Sequence, residues 1–251
     1  MKASGSRIIL TRCGLLVLAL MVLWGCEKST PSDTTAPEPP VLLQPPPDSA
    51  RDETGTDAVP EADWIRVTWL SNQEDDLRGY RVYRSSPPLN LDTLLVTLTV
   101  GSAEADTLLD DSSVQLGVRY TYKVTAFDRS GNESGESAPA DYLLISKLGA
   151  ENLTSPRGTI PDRRPVFVWT STGESIENYL RVYDGDQDRT VWVSGGQNPF
   201  SSPHELIYNA DGTAADSLLI PGREYRWRVD RTGSELRSGS ESNWVSFTIE
   251  N

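Results

Sequence analysis

Three kinds of chemistry have little to draw on in this chain. Of its 251 residues one is histidine, His204, and two are cysteines, Cys13 and Cys26. Nucleophile–base pairs and thiolate or imidazole metal sites need more of both. No Gly-x-Ser-x-Gly elbow and no Arg-Gly-Asp triplet occurs. His204 follows Ser201-Ser202-Pro203 in an irregular stretch and reads as an exposed loop histidine. A Ser/His/Asp triad would have to assemble in space, where sequence order gives no view of it. Basic residues are also scarce: 23 Lys and Arg stand against 36 Asp and Glu, for a net charge of −13. That balance argues against nucleic acid or anionic lipid as a main partner, because phosphate recognition needs clustered cations.

Long apolar runs are absent too. Gly14 to Trp24, "GLLVLALMVLW", is 11 residues long, against the roughly 20 needed to cross a bilayer as a helix. It follows Lys2, Arg7 and Arg12 with no acid among them, the layout of a secretory signal. Its end, Leu23-Trp24-Gly25-Cys26, resembles the lipobox of a bacterial lipoprotein signal. The resemblance implies removal of residues 1–25 and acylation of Cys26 with a thioether-linked diacylglycerol and an amide-linked third chain. It also implies a bacterial cell envelope protein, lipid-anchored to a membrane, at the outer membrane or cell surface. Several acyl chains anchor stably where one does not. With Cys13 in the signal and Cys26 lipidated, the folded part has no disulfide and must be held by its core.

Residues 26–38, rich in Pro, Ser and Thr, read as an extended tether. The acidic segment 48–63, "DSARDETGTDAVPEAD", has no periodicity and reads as a long exposed loop between the first two strands. Thereafter the period is two. Ile65, Val67 and Trp69 alternate with Arg66 and Thr68, as in a half-buried strand. Short runs rich in Val, Tyr and Thr follow between turn signals, the pattern of an antiparallel sandwich. No amphipathic helix of useful length is present. The plan then repeats. Phe167 and Trp169 alternate as Val67 and Trp69 do, and further runs include Tyr179 to Tyr183, Leu206 to Tyr208, Leu218 to Ile220, Tyr225 to Val229 and Trp244 to Ile249. Trp69 to Tyr80 spans 11 residues and Trp169 to Tyr179 spans 10, which indicates a duplication broken near Ser146 to Asn152.

The fold class is therefore all-β, with two tandem antiparallel β-sandwiches, over residues 39–146 and 152–251. "WIRVTW", "DDLRGYRVYR" and "GVRYTYKVTAFDRSGNESGES" resemble strands B, C and F of a bacterial fibronectin type III domain. That likeness implies a core role for Trp69 and a corner hydrogen bond from Tyr120 to upstream backbone. "PVFVW", "LLIPGREYRWRV" and "WVSFTI" fit the same family more loosely, with Trp169 in the core and Tyr225 at the corner. "VWVSGGQNPFSSPHELIYNADG" departs from it, so a related immunoglobulin-like sandwich stays open for the second copy. In "DDLRGYRVYR", Asp75 to Gly79 read as the turn before a strand, with Gly79 chosen for its backbone freedom. Tyr80 and Val82 then point one way, Arg81 and Tyr83 the other, and the charges are solvated.

Asp184-Gly185-Asp186-Gln187-Asp188 has the alternation of a calcium loop. Arg189 and Gly195 stand where such a loop needs Gly and Glu, so a hairpin between strands is the better account. Among the seven tryptophans, Trp227 shares a face with Tyr225 and Val229, while Trp64, Trp192 and Trp244 are the ones that could stack on sugar rings. No metal and no cofactor is implied. The functional expectation is a non-catalytic envelope lipoprotein, a binding or spacer module for a protein or polysaccharide partner. The alternatives are a carbohydrate-active or hydrolytic protein using loops of the second sandwich, or a purely structural stalk. Metabolic labelling with a palmitate analogue should tag the wild-type chain and leave Cys26→Ser unlabelled; equal labelling would remove the anchor.

Overall fold

Ile65, Val67 and Trp69 are buried while Arg66 and Thr68 are not, so one face of this strand meets a core and the other does not. The structure, a computed structural model, describes residues 33–101, 107–171, 173 and 175–251. The signal segment, Cys26 and the start of the tether lie outside them. Among the described residues no helix is long and apolar enough to cross a membrane. Thr34–Asn251 form one compact unit, all-β, with two antiparallel β-sandwiches in tandem.

The first sandwich contains β1 (Val41–Leu42), β2 (Asp57–Val59), β3 (Ala62–Leu70), β4 (Leu77–Ser85), β5 (Thr93–Thr99), β6 (Leu108–Asp111), β7 (Arg119–Asp128) and β8 (Ala140–Leu144). A single 3-10 turn, Ala150–Asn152, leads into the second. This holds β9 (Leu153–Ser155), β10 (Gly158–Ile160), β11 (Val166–Trp169), β12 (Ser175–Asp184), β13 (Arg189–Val193), β14 (His204–Ile207), β15 (Glu224–Gly233), β16 (Ser238–Glu241) and β17 (Val245–Ile249). In each sandwich a small sheet, β1-β3-β2 with β6 or β14-β11-β9, faces a larger one. The two larger sheets are one hydrogen-bonded sheet. The first half of β15 pairs with β17, its second half pairs with β16, and β16 runs parallel to β8 of the first sandwich.

Each sandwich has its own core. Trp69, Tyr80, Val82 and Val124 anchor the first, with Trp69 and Tyr80 in edge contact at 5.4 Å. Phe167, Trp169, Leu180, Trp192, Trp227 and Phe247 anchor the second. The core-facing counterpart of Tyr80 is Leu180, not Tyr179, which is half-buried on the outer face. Leu218 to Ile220 forms no strand. It is an irregular segment fixed by the buried Leu219 side chain and by its N–H, which donates to the Arg163 carbonyl at 3.0 Å. Sequence reading missed β2, β9, β10 and β16, each only 3 or 4 residues long. Periods of two cannot establish themselves over so few positions.

Gly79 lies inside β4, and backbone freedom is not why it is glycine. A Cβ there would sit 2.0 Å from the Leu98 carbonyl oxygen on the neighbouring β5, so close strand approach excludes any side chain. The strand-opening tyrosines are placed alike in both sandwiches. The Gln115 N–H donates to the Tyr120 hydroxyl at 3.1 Å, and the Ile220 N–H donates to the Tyr225 hydroxyl at 3.0 Å. Both bonds span five residues and close the turn that feeds the strand. Replacing either tyrosine by phenylalanine strands a backbone donor, at about 1 kcal/mol. Tyr120→Phe and Tyr225→Phe should therefore each lower the unfolding midpoint in urea, and their effects should add, because the corners lie in separate cores.

Candidate functional site at the junction of the sandwiches

Along β15 the inward residues Tyr225, Trp227 and Val229 put Arg226, Arg228 and Asp230 on the outer face. Along β12, inward Leu180 and Val182 do the same for Arg181. An outer face is ordinarily wet, yet the side chains of Arg181, Arg228 and Asp230 are 1%, 4% and 1% exposed. The cover is the acidic segment after residue 48. It is not an exposed loop: Thr56, Asp57, Ala58 and Val59 are buried, and residues 57–59 form β2. Arg181 donates to the carbonyls of Ala50 at 2.8 Å, Asp48 at 3.2 Å and Arg51 at 3.3 Å. Three backbone acceptors from one loop thus converge on one guanidinium of the other sandwich.

Carboxylates complete the cluster. Glu53 bridges Arg181 and Arg228 at 2.5 and 2.6 Å. Asp230 also bridges them, at 3.0 and 2.7 Å, and Glu241 meets Arg228 at 2.7 Å. Thr232 donates to Asp48 at 2.6 Å. Glu53, Asp230 and Glu241 lie close enough together to hold a metal ion, but the Arg228 guanidinium already bonds to all three. Around it, Arg119 reaches Glu235 and the Leu236 carbonyl, Arg237 reaches Asp141, and the Leu143 and Ile145 N–H groups donate to Arg237 and Gly239. Close packing is again enforced by glycine: a Cβ on Gly239 would lie 2.6 Å from the Arg231 carbonyl oxygen and 2.8 Å from the Tyr142 hydroxyl.

Acids outnumber bases in this cluster, and burial decides the protonation. Burial, with Asp230 adding repulsion, pushes Glu53 up to about 8 against the pull of Arg228 and Arg181. Burial and Asp48 push Asp57 up to about 7. Burial raises Glu241 as well, whereas for Asp230 the two arginines outweigh burial and hold it below its ordinary value.

Beside the cluster a cleft of about 830 Å³ opens between the sandwiches, lined by Arg51, Glu53 and Arg66 from one and by Tyr183, Arg189 and Trp244 from the other. Its aromatic faces are engaged. The Arg226 guanidinium lies 4.3 Å from the Tyr183 ring centre and 4.7 Å from that of Trp244, and Arg228 lies 4.6 Å from Trp244. Tyr183 and Trp244 are tilted at 56°, not coplanar. Trp192 and Trp227 are fully buried and Trp64 is 39% exposed.

The remaining sequence-derived residues fall elsewhere. Trp69 and Trp169 are in the two cores, 1% and 0% exposed. His204 is not in an exposed loop. It opens β14, is 6% exposed, and stacks on Trp169 at 4.6 Å and 8°. Its Nε2 lies 3.0 Å from the Ser171 hydroxyl, which also accepts from Asn178. Burial lowers its pKa, and among the described residues no carboxylate is bonded to it. Asp184 to Asp188 do form the hairpin between β12 and β13. Asp184 accepts from the Asp186 and Gln187 N–H groups and pairs with Arg223 at 2.8 Å. Two charges of "DDLRGYRVYR" are paired and not simply solvated: Arg81 with Glu133 over the Phe127 ring, and Arg84 with the buried Asp111 over Tyr120, while Asp75 and Arg78 are exposed.

No family model matches the chain. A stretch of 171 residues, 67% of the chain, is 36% identical to part of an amylopullulanase from Thermoanaerobacterium thermosulfurigenes. The chain spans 8% of that protein's length. Solved structures similar to it include an Fn3-like protein from Clostridium thermocellum, at 24% identity and TM-score 0.32, covering 45% of this chain and 98% of that one. A β-1,2-glucanase from Parabacteroides distasonis is 22% identical with TM-score 0.35, over 48% of this chain and 14% of the enzyme. The FN1–FN3 domains of chicken CNTN1 are 15% identical with TM-score 0.35, over 86% and 69%. The neighbours thus include fibronectin type III-like domains.

The junction makes a signed pH prediction. Unfolded, Glu53 and Asp57 ionise near their ordinary 4.5 and 3.8; folded, they keep their protons to about 8 and 7. Their contribution is whole below pH 4 and is lost as pH rises through the neutral range. Each group changes stability by about 1.4 kcal/mol per pH unit inside its window. Tm should fall between pH 5 and 8, and Glu53→Gln should flatten that slope. Arg228→Met, which leaves the buried Asp230 carboxylate without that guanidinium, should cost about 3–5 kcal/mol.

Proposed function

We propose that this chain is a non-catalytic accessory module of a bacterial cell envelope, anchored through Cys26 and associated with polysaccharide. The two sandwiches, held in fixed orientation, present loops and cleft surface to the glycan while the tether sets their distance from the membrane. One observation carries the reading: the likeness to an amylopullulanase extends over two thirds of this chain but only 8% of that protein. A piece of that size suits a module that accompanies chemistry performed elsewhere. The residues of this chain agree with such a role. Arg51, Asp52, Asp188 and Arg189 line the cleft and carry the donor and acceptor groups that sugar hydroxyls bind.

The hydrolytic alternative has one observation in its favour, the Ser171–His204 contact. No acid orients that histidine among the described residues, and its ring is packed flat on Trp169. Affinity electrophoresis through gels containing pullulan, amylopectin or no polysaccharide tests the proposal. Retardation by one of the glucans without release of reducing sugar is the expected result. Migration unchanged in every gel would reject polysaccharide association, and sugar release abolished by His204→Ala would establish the hydrolytic reading instead.

A further inference from the structure

The ten-stranded sheet ends at β5, which is hydrogen-bonded to β4 along one edge and, among the described residues, pairs with no strand along the other. Exposed edges are templates for pairing, and native sheets usually blunt them with charge, proline or short length. Here the edge is Thr-Leu-Leu-Val-Thr-Leu-Thr, seven residues without charge, proline or glycine. The sheet's opposite end, β10, is three residues long, and β13 is partly covered, with the Ala215 N–H donating to the Val191 carbonyl at 2.7 Å. Exposed apolar side chains gather beside β5: Leu89, Leu91, Leu94 and Val100 are 75%, 67%, 48% and 41% exposed. One protective device is present, a bulge at Leu95, and beyond it Val96 to Thr99 run in regular register with β4.

We propose that β5 pairs antiparallel with β5 of a second copy of this chain, joining two ten-stranded sheets across a two-fold axis. Charge and sequence both select a second copy. A protein of net charge −13 repels itself over most of its surface, and the uncharged edge is where two copies approach without that cost. The strand also complements itself about Thr97. Antiparallel pairing centred there sets Thr97 against Thr97 and Val96 against Leu98. Equivalent residues then meet, as an isologous two-fold contact requires, and an even register keeps both cores on one side of the joined sheet.

Cysteine cross-linking in the full chain tests this. Directly opposed antiparallel residues have Cα atoms about 4.5–5.5 Å apart, within disulfide range. Under mild oxidation Thr97→Cys should give a disulfide-linked species of twice the chain mass. Thr159→Cys, exposed on the opposite edge, should stay at the background set by wild type with Cys13 and Cys26. Adding Thr99→Lys to Thr97→Cys puts a charge on the same face of the shared edge, two residues from the two-fold axis, and should abolish the dimer. Raising salt should increase dimer yield, because it screens repulsion between acidic copies. Equal cross-linking by Thr97→Cys and Thr159→Cys, no dimer from Thr97→Cys, or a cross-linked product of any other mass would each overturn the pairing, the last by showing a foreign strand on this edge.

Discussion

Two arginines sealed against a loop from the neighbouring sandwich set the relation between the halves of this protein. Desolvating Arg181 and Arg228 is costly, and the cost is met only when backbone carbonyls of residues 48–51 and the carboxylates of Glu53, Asp230 and Glu241 are all in place. A small displacement of one sandwich would leave several buried charges without partners at once. Such a cluster contributes more to a unique orientation than to net stability. The strand pairing of β8 with β16 adds main-chain direction to that constraint.

The cluster stands on one face of a scaffold that both sandwiches share. Trp69 and Trp169, Val82 and Val182, and Arg81 and Arg181 occupy matching places in their strands. The inward positions stay apolar in both copies, since each core must be filled. The outward positions part company: Arg81 pairs with Glu133 at a half-exposed surface, whereas Arg181 is buried under residues of the first sandwich. The cation–π ladder of Arg226, Arg228, Tyr183 and Trp244 belongs to the same covered face. Tryptophans available in principle for sugar stacking are therefore committed, at this junction or in a core, with Trp64 the exposed exception among the described residues.

Much of the fold was legible because alternation is a local property. Tyr80 and Val82 inward, Arg81 and Tyr83 outward, follow from a period of two alone, and the hairpin at Asp184 to Asp188 follows from turn chemistry between two such runs. The errors share a cause in contacts distant along the chain. Sequence suggests backbone freedom for Gly79 because the Leu98 carbonyl above it is invisible there. Sequence suggests an exposed loop for His204 because its neighbours Ser202 and Pro203 signal irregularity, while Trp169, which covers its ring, lies 35 residues away. The segment 48–63 was read as solvated because acids without periodicity normally are.

The sequence by itself determined the strands long enough to show a period, the repeated sandwich plan, the residues that fill each core and the scarcity of catalytic groups. These depend on side-chain alternation, composition and spacing, which do not change when the chain folds. Only the tertiary structure decided where charge is buried and which edge is left open. Alternation names the face on which Arg181, Arg228 and Asp230 stand, but whether water or another sandwich covers that face depends on a loop some 130 residues earlier in the chain. Electrostatic consequence follows burial, and burial is a property of the assembled fold.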